Sequence, residues 1–297
     1  MAKPTVYLLS LGCARNLVDS EIILGKLKDT FLIKDQPKGV DLAIINTCAF
    51  IKEAKEESLE EIWDLIELKR KGEIKKLWVV GCLPQRYREE MQSELPEVDG
   101  FLGVEAGKNG LEEMLKNLQV PVKKDLCTSL SPRFRLTPSH YTYIKLSEGC
   151  DNLCSYCAIS QIRGYLRSRP KQEIIKEIKD LSKNGRLKEI NLVAQDTTLY
   201  GKDLYGKPAL LDLLREVEKI GFLPWIRILY LHPANIDKNL ITFIAQSEKI
   251  CHYIDLPLQH ISDKLLKRMN RRITKKEIYR LIEFIRKKIK NVSLRTT

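Results

Sequence analysis

Apolar and amphipathic segments alternate along the first part of the chain. Short apolar runs that end abruptly are typical of buried strands, and longer stretches with one polar side are typical of covering helices. The pattern predicts strands at residues 6–11, 41–47 and 76–81, and helices at 17–28, 52–71 and 85–94. Such an alternation predicts an open, mostly parallel α/β sheet, which we assign to residues 1–120.

The alternation stops at residues 121–139, where Pro121, Pro132 and Pro138 interrupt a polar stretch that we interpret as a linker. It then resumes over residues 140–297. Strands are predicted at 141–146, 189–194, 225–231, 252–257 and 292–296, and helices at 172–184, 209–220, 236–246 and 275–288. This order predicts a parallel, TIM-like βα barrel. The last strand has no covering helix after it, so we expect a partial barrel in a fragment of a longer protein.

Composition narrows the class of protein. With 43% hydrophobic and 30% charged residues among 297, the chain has enough apolar material for a core. It contains no apolar run of bilayer-spanning length and no signal-peptide pattern at its start, so we expect a cytoplasmic protein without a membrane partner. The net charge of +12 fits a polyanionic partner such as RNA or the ribosome. Solvated helix faces, such as the basic run at residues 286–290, explain the same charge.

Three cysteines lie on one short predicted loop, with spacings of three and two residues between Cys150, Cys154 and Cys157. In a reducing compartment cysteines are better read as metal ligands or core residues than as disulfides. Three thiolates can hold a four-iron cluster at three of its irons and leave the fourth iron open to a small molecule. Half of a zinc site is the alternative, but the next candidate ligands are His140 before the loop and the distant His232.

A second set of cysteines ends three apolar runs in the first domain, at Cys13, Cys48 and Cys82. Because ligand sites of open parallel sheets form outside the carboxyl ends of the strands, we expect these thiols to converge and to hold a second cluster. Buried core cysteines are the alternative. Neither Cys127 nor Cys251 has a partner at ligand spacing, and we assign no metal to either.

The motif from Cys150 to Cys157, with Tyr156 before the last cysteine, resembles the radical S-adenosylmethionine signature. The three earlier cysteines resemble the additional domain of the methylthiotransferases. The segment at residues 10–21 is similar to the branch that modifies an aspartate of the twelfth small-subunit ribosomal protein, whereas the tRNA-modifying branches usually carry a Gly-Cys-Gln-Met-Asn type of sequence there. Further similar segments lie at residues 194–201, 227–233 and 255–262.

The resemblance implies a reaction in two stages with two [4Fe-4S] clusters and S-adenosylmethionine. One S-adenosylmethionine methylates a sulfur on the first cluster, and a second is cleaved at the other cluster to a 5′-deoxyadenosyl radical. This radical takes a hydrogen from the β-carbon of the aspartate, which then captures the methylthio group. The implied partners are the ribosomal protein or the assembled ribosome and an electron donor such as a flavodoxin, while the sulfur donor is left unassigned.

Few residues beyond the cluster ligands are assigned, and none of them as catalytic. Gln195 and Asp196 follow the second barrel strand, where they are candidates for contacting S-adenosylmethionine or for capping the loop. Other polar residues have simpler explanations. In the first turn of a predicted helix, Asp19 and Glu21 interact favourably with the helix dipole. We interpret Arg163, Arg167 and Arg169 as solvated loop residues rather than as a carboxylate-binding site, and we assign no metal to His232 or His260.

Compared with this family, we expect the sequence to lack a further strand and a small substrate-binding β domain after its last residues. Two other functions remain open at this point. One is a tRNA adenosine 2-methylthiotransferase with the same chemistry, which the basic composition fits. The other is a non-catalytic iron- or zinc-binding module that associates with ribosomes or RNA.

Overall fold

The computed structural model describes residues 3–104, 110–117 and 133–297. The chain divides into two units, one up to Leu136 and one from Thr137 onward. The predicted linker at 121–139 lies largely outside the described residues. Residues Arg133 to Leu136 of this predicted linker belong to the first unit. There the Phe134 amide donates a hydrogen bond to the carbonyl oxygen of Glu21 (3.0 Å).

A five-stranded parallel sheet forms the centre of the first unit. Its order is β2-β1-β3-β4-β5, in which the sequence direction reverses between β1 and β3. All four strand pairs are parallel. The strands are β1 (Thr5–Ser10), β2 (Leu32–Lys34), β3 (Val40–Thr47), β4 (Ile74–Gly81) and β5 (Gly100–Leu102). The order is that of doubly wound sheets, whose ligands bind where the direction reverses.

Helices connect the strands of this sheet. Helix α1 (Ala14–Leu27) joins β1 to β2, α2 (Lys52–Arg70) joins β3 to β4 and α3 (Cys82–Glu94) joins β4 to β5, while α4 (Leu111–Asn117) follows β5. Strand β3 is central and is buried at every position except Asp41, which explains its nearly continuous apolar sequence. The three long predicted strands of this unit are therefore present within one or two residues. The three-residue strands β2 and β5 were not predicted.

The second unit contains an arc of five strands in sequence order. The strands are β6 (Tyr141–Lys145), β9 (Glu189–Val193), β10 (Trp225–Ile228), β11 (Tyr253–Asp255) and β12 (Ser293–Arg295). Parallel ladders join β6, β9 and β10, and another joins β11 to β12. A parallel bridge from Ile226 to Ile250 connects the two sheets. These strands form the partial parallel barrel that the sequence predicts.

Helices cover the arc and complete its core. They are α5 (Ile159–Arg163), α6 (Lys171–Ser182), α7 (Lys202–Tyr205), α8 (Leu210–Glu218), α9 (Lys238–Gln246), α10 (Asp263–Arg268) and α11 (Lys275–Lys288). Helix α8 illustrates how one apolar helix face is buried. Its buried residues recur at helical spacing and are Leu210, Leu213, Leu214 and Val217. A short antiparallel hairpin, β7 (Ser147–Glu148) with β8 (Arg167–Ser168), lies beside the arc and was not predicted.

The α/β fold class is thus confirmed, with an open parallel sheet followed by a partial barrel. Within the described part of the chain, no helix combines the length and the apolar character needed to cross a membrane.

Candidate functional site

The first set of cysteines lies at the carboxyl ends of three adjacent strands. Cys13 follows β1 and precedes helix α1, Cys48 follows β3, and Cys82 begins helix α3 directly after β4. Cys48 and Cys82 are buried, and Cys13 is half-buried. Because β1, β3 and β4 are neighbours in the sheet, all three thiols share the edge at which doubly wound sheets bind ligands.

One fully buried asparagine, Asn16, connects these three cysteine loops. Its Nδ2 donates to the carbonyl oxygens of Leu11 (3.1 Å) and Thr47 (2.9 Å), which come shortly before Cys13 and Cys48. Its Oδ1 accepts the thiol hydrogen of Cys82 at 3.7 Å. The Asn16 side chain therefore fixes all three loops relative to one another, a role that sequence reasoning missed.

The glycine before Cys13 permits the close approach of two of these loops. Gly12 has φ +80°, and a Cβ built on it would lie 2.7 Å from the Cβ of Cys48 and 3.0 Å from its Sγ. A larger residue would therefore displace the Cys48 side chain. The close contact shows that the loops of Cys13 and Cys48 adjoin each other, as the sequence predicts.

The second set of cysteines lies on the loop that the β7–β8 hairpin holds at its base. The Cys150 amide donates to the Gly164 carbonyl oxygen at 3.2 Å, and the Cys157 amide donates to the Cys154 carbonyl oxygen at 3.0 Å. Gly149 has φ +69°, and a Cβ there would lie 2.0 Å from the carbonyl oxygen of Tyr165. Only glycine fits this position, which sets the direction in which the loop leaves the strand.

The segment after helix α10 holds the same loop from its other side. The Ser155 amide donates to the Met269 carbonyl oxygen (3.2 Å), and Asn270 Nδ2 donates to the Leu153 carbonyl oxygen (2.9 Å). The buried Arg271 places Nη1 3.6 Å from the Sγ of Cys154. A positive charge at this distance would tune the reduction potential of a cluster held by this thiol.

A buried network connects the first cysteine of the loop to Asp196. Asn152 Nδ2 lies 3.4 Å from the Sγ of Cys150 and donates to Asp196 Oδ2 at 2.7 Å. Asn235 donates to the same carboxylate oxygen at 2.8 Å and to Asn152 Oδ1 at 3.0 Å. Asp196 also accepts a hydrogen bond from the Thr198 amide at 3.0 Å. The capping alternative for Asp196 is therefore present in the structure, together with a link to the cysteine loop.

Several buried polar atoms at the carboxyl ends of β6, β9 and β10 have no hydrogen-bond partner among the residues that the structure describes. They are both amide atoms of Gln195, the hydroxyl oxygen of Ser147 and Nε2 of His232. Buried polar groups are normally paired, so this concentration indicates a polar ligand. Gln195 was a candidate from the sequence, and its contact with S-adenosylmethionine stays a prediction, while Ser147 and His232 were not assigned to this group.

His232 is held in one tautomer. Its Nδ1 accepts a hydrogen bond from the Ala234 amide at 3.3 Å, so the ring hydrogen is on Nε2, which faces the ligand region. Burial, helped by the nearby charge of Arg271, lowers the pKa of His232 to about 4. The ring is neutral at physiological pH and offers one N–H donor.

Each donor set consists of three thiols, which is the ligand type and number for a four-iron cluster with one open iron. Burial raises the pKa of Cys150 to about 11, a cost that a bound cluster offsets because it takes up the thiolate.

The arginines and His260 that were considered from the sequence belong to neither of the two cysteine sets. Arg163 is buried and donates to Glu148 Oε2 at 2.8 Å, so the interpretation as a solvated loop arginine is wrong for this residue. Arg169 likewise donates to the Lys145 carbonyl oxygen at 2.8 Å, while Arg167 is exposed. His260 is exposed, with Nδ1 accepting from the Ser262 amide.

Two acidic residues of helix α1 lie beyond its first turn, because the helix begins at Ala14. The dipole interpretation is therefore wrong for Asp19 and Glu21. Glu21 is fully buried and forms an ion pair with Arg133. Cys251 precedes β11 and therefore lies at the opposite end of the barrel from the loop of Cys150, and Cys127 lies outside the described residues.

Comparison with known families adds to this geometry. Residues 5–103 match the uncharacterized protein family UPF0004, and residues 144–297 match the radical SAM superfamily. Solved structures of low sequence identity share the fold. The radical S-adenosylmethionine methyltransferase TsrM of Kitasatospora setae aligns with a TM-score of 0.66 at 13% identity, over 99% of this chain and 66% of that one. The cobalamin-dependent radical enzyme OxsB aligns with a TM-score of 0.64 at 13% identity, over 99% and 49%.

Curated relatives are much closer in sequence. The ribosomal protein uS12 methylthiotransferase RimO of Geobacter sulfurreducens is 45% identical over 306 residues, which cover 100% of this chain and 68% of the relative. The protein of the same name from Geotalea uraniireducens is 45% identical over 99% of this chain and 67% of its own length. The chain thus spans about two thirds of these relatives. With both cysteine sets in place, the chain belongs to the RimO family of radical S-adenosylmethionine methylthiotransferases.

Proposed function

We propose that this chain replaces a hydrogen on the β-carbon of an aspartate in ribosomal protein uS12 with a methylthio group. The relatives at 45% identity carry the name of this activity. The observation that supports it most is the group of buried polar atoms without partners next to the loop of Cys150, Cys154 and Cys157. A polar cosubstrate beside a three-thiol loop is what radical cleavage of S-adenosylmethionine requires.

In this proposal the six cysteines form two ligand sets. Cys13, Cys48 and Cys82 hold one [4Fe-4S] cluster, and the loop from Cys150 to Cys157 holds the other. When bound, a cluster with one open iron supplies the electron that cleaves S-adenosylmethionine reductively. Three thiolates per set, rather than four, leave that iron open.

The chain's own residues bind and orient the cosubstrate. Gln195 offers one acceptor and two donors in a buried position, and His232 offers its Nε2–H. Asp196 is fixed by the amides of Asn152 and Asn235, so its carboxylate has one orientation relative to the Cys150 thiol. We propose Gln195 and Asp196, with His232 and Ser147, as the S-adenosylmethionine site.

The partners of this reaction follow from the same proposal. The substrate is uS12, alone or in the assembled ribosome, the electron donor is a small redox protein such as a flavodoxin, and the place of action is the cytoplasm.

Incubation of the reconstituted chain with S-adenosylmethionine, a reductant and either uS12 or tRNA tests the substrate. Mass spectrometry of the products should find one methylthio group on an aspartate of uS12 and none on tRNA. A Cys150→Ala variant serves as the control and should leave S-adenosylmethionine intact. Methylthio groups on adenosine of tRNA would instead establish the tRNA-modifying alternative. An unmodified substrate together with intact S-adenosylmethionine would support the non-catalytic module.

A further inference from the structure

The positive charge of the chain is concentrated in one short segment. Residues 263–290 contain twelve Lys and Arg and only three Asp and Glu, which is a net charge of +9 within a chain of net +12. Eleven of these twelve cations are exposed, and only Arg271 is buried. We call the exposed Lys and Arg of residues 263–290 the basic surface.

One end of the basic surface borders the candidate radical site. Helix α10 carries the exposed Lys264, Lys267 and Arg268. The carbonyl oxygen of Arg268 accepts a hydrogen bond from the Ser155 hydroxyl at 2.8 Å, within the loop between Cys154 and Cys157. A partner held by these cations therefore lies next to the loop on which we place the radical chemistry.

The rest of the basic surface continues along helix α11. The helix buries Ile278 and Ile285 and leaves its opposite face, including Lys276, Arg280 and Lys287, in solvent. A helix of this length extends over roughly 20 Å, enough to follow several phosphates of a nucleic acid. The exposed ring of Tyr279 lies on the same helix, with the Nζ of Lys275 5.9 Å from its centroid. Cations with an intervening aromatic ring are typical of RNA-binding surfaces.

The cations of the basic surface outnumber the carboxylates beside them, of which Glu277 is within the electrostatic influence of Arg280. Other exposed Lys and Arg of the chain pair with nearby carboxylates, as Lys183 does with Asp180 and Lys219 with Glu216. None of the eleven exposed cations forms an ion pair with a carboxylate in the parts of the chain that the structure describes. A surface of this net charge attracts polyanions and repels basic proteins.

We propose that the basic surface binds the phosphate backbone of RNA, so that the target aspartate reaches the barrel as part of an RNA-containing ribosomal particle. This inference rests on the proposed function for the identity of the particle. RNA is favoured over an anionic membrane because the surface combines cations with an exposed aromatic ring and borders the candidate radical site. The surface binds RNA without reference to its sequence, since phosphates carry the charge.

Fluorescence anisotropy with a labelled RNA hairpin tests the proposal on the reconstituted full chain. The test variant is K276E/R280E/K287E, and the matched control is K176E/K179E/K207E, which makes the same charge change at exposed lysines outside the basic surface. We expect the test variant to bind the hairpin about tenfold more weakly than the unmodified chain. The plot of log affinity against log salt concentration should become less steep by about two, because three phosphate contacts are lost. The control variant should bind like the unmodified chain.

Two results would overturn the proposal. One is equal loss of RNA binding in both triple variants, and the other is tighter binding of the unmodified chain to phosphatidylserine vesicles than to the hairpin. The binding measurement requires no turnover, so it succeeds or fails independently of methylthio transfer. For an active chain, transfer to whole small ribosomal subunits should fall in the test variant, whereas transfer to a short peptide containing the aspartate should not.

Discussion

At the scale of single residues, the side chains of buried asparagines hold the loops that carry the thiols. Asn16 bonds to the backbone near two cysteines and to the thiol of the third. Asn152 has the corresponding position beside Cys150. Sequence spacing predicted all six cysteines as ligands, because their order along strands and loops carries that information. It could not predict these asparagines, since only the folded chain brings them to the thiols.

Replacement of Asn16 by alanine tests this role. The variant removes the Asn16 donor from the carbonyl oxygens of Leu11 and Thr47, so we expect a loss of about 1–3 kcal/mol in the free energy of unfolding of the metal-free chain. The misplaced thiols of Cys13, Cys48 and Cys82 should hold less iron, and the total should fall from about eight toward about four irons per chain. Urea unfolding and iron analysis measure the two effects.

Asn239→Ala is the matched control, because Asn239 is exposed and lies far along the sequence from either cysteine set. It should retain the full iron content. If Asn16→Ala also keeps about eight irons, Asn16 does not position the first set of thiols.

At the scale of secondary-structure elements, long buried strands were predictable and short or irregular ones were not. Strand β3 shows an apolar run that is evident in the sequence, but β2 and β5 have three residues each and too little pattern. The predicted strand at 225–231 ends early at Ile228, because Tyr230 has φ +60° and its amide donates to Asp255 Oδ2 at 2.9 Å. Tertiary contacts of this kind decide where a strand ends.

A substitution in the β7–β8 hairpin tests whether this hairpin positions the loop of Cys150, Cys154 and Cys157. Gly149→Ala adds a methyl group where the Tyr165 carbonyl oxygen lies 2.0 Å away, so the hairpin must open or shift. We expect a lower melting temperature and loss of iron from the second cysteine set, leaving about four irons per chain. Calorimetry and iron analysis measure these effects.

Gly185→Ala is the matched control for this substitution. Gly185 has φ +66°, close to that of Gly149, but no atom lies within 4 Å of its added Cβ. The Gly185→Ala variant should lose only about 1–2 kcal/mol of unfolding free energy through backbone strain, and it should keep its iron. Equal effects of the two substitutions would mean that strain, not the contact with Tyr165, explains the result.

Asp99, next to β5, links two further elements of the first unit. It forms ion pairs with Lys69 of α2 and Lys76 of β4, and it accepts a hydrogen bond from the Leu77 amide at 2.8 Å. Partial burial alone would raise the pKa of Asp99, but the bonds from Lys69, Leu77 and Lys76 outweigh burial and lower it. The carboxylate therefore stabilises the folded state above the unfolded pKa of about 3.9, and this contribution is lost as pH falls below that value.

Asp99→Asn should accordingly be less stable than the unmodified chain at pH 7. The difference in unfolding free energy should shrink as pH falls from about 5 toward 3, because the unmodified chain loses its carboxylate contribution there. Urea unfolding across this range measures it. Asp35→Asn, at an exposed carboxylate, is the matched control and should lower the unfolding free energy at pH 7 by less than Asp99→Asn. A pH-independent difference for Asp99→Asn would contradict the assignment.

At the scale of the whole molecule, each unit places three cysteines at the carboxyl ends of parallel strands or directly after them. The doubly wound sheet does so at β1, β3 and β4, and the partial barrel does so in the loop that follows its parallel strand β6 and the short antiparallel strand β7. Parallel α/β architectures gather their chemistry at that end, since the loops there can vary without disturbing the core. Two different sheets thus provide two similar three-thiol sites.

We propose that these six thiols hold two four-iron clusters. Anaerobic reconstitution, followed by determination of iron and sulfide per chain, tests it most directly. We predict about eight irons and about eight sulfides for the unmodified chain. The variants C13A/C48A/C82A and C150A/C154A/C157A should each retain about four of both. Zinc in place of iron, or about four irons in the unmodified chain, would mean that the six thiols do not hold two such clusters.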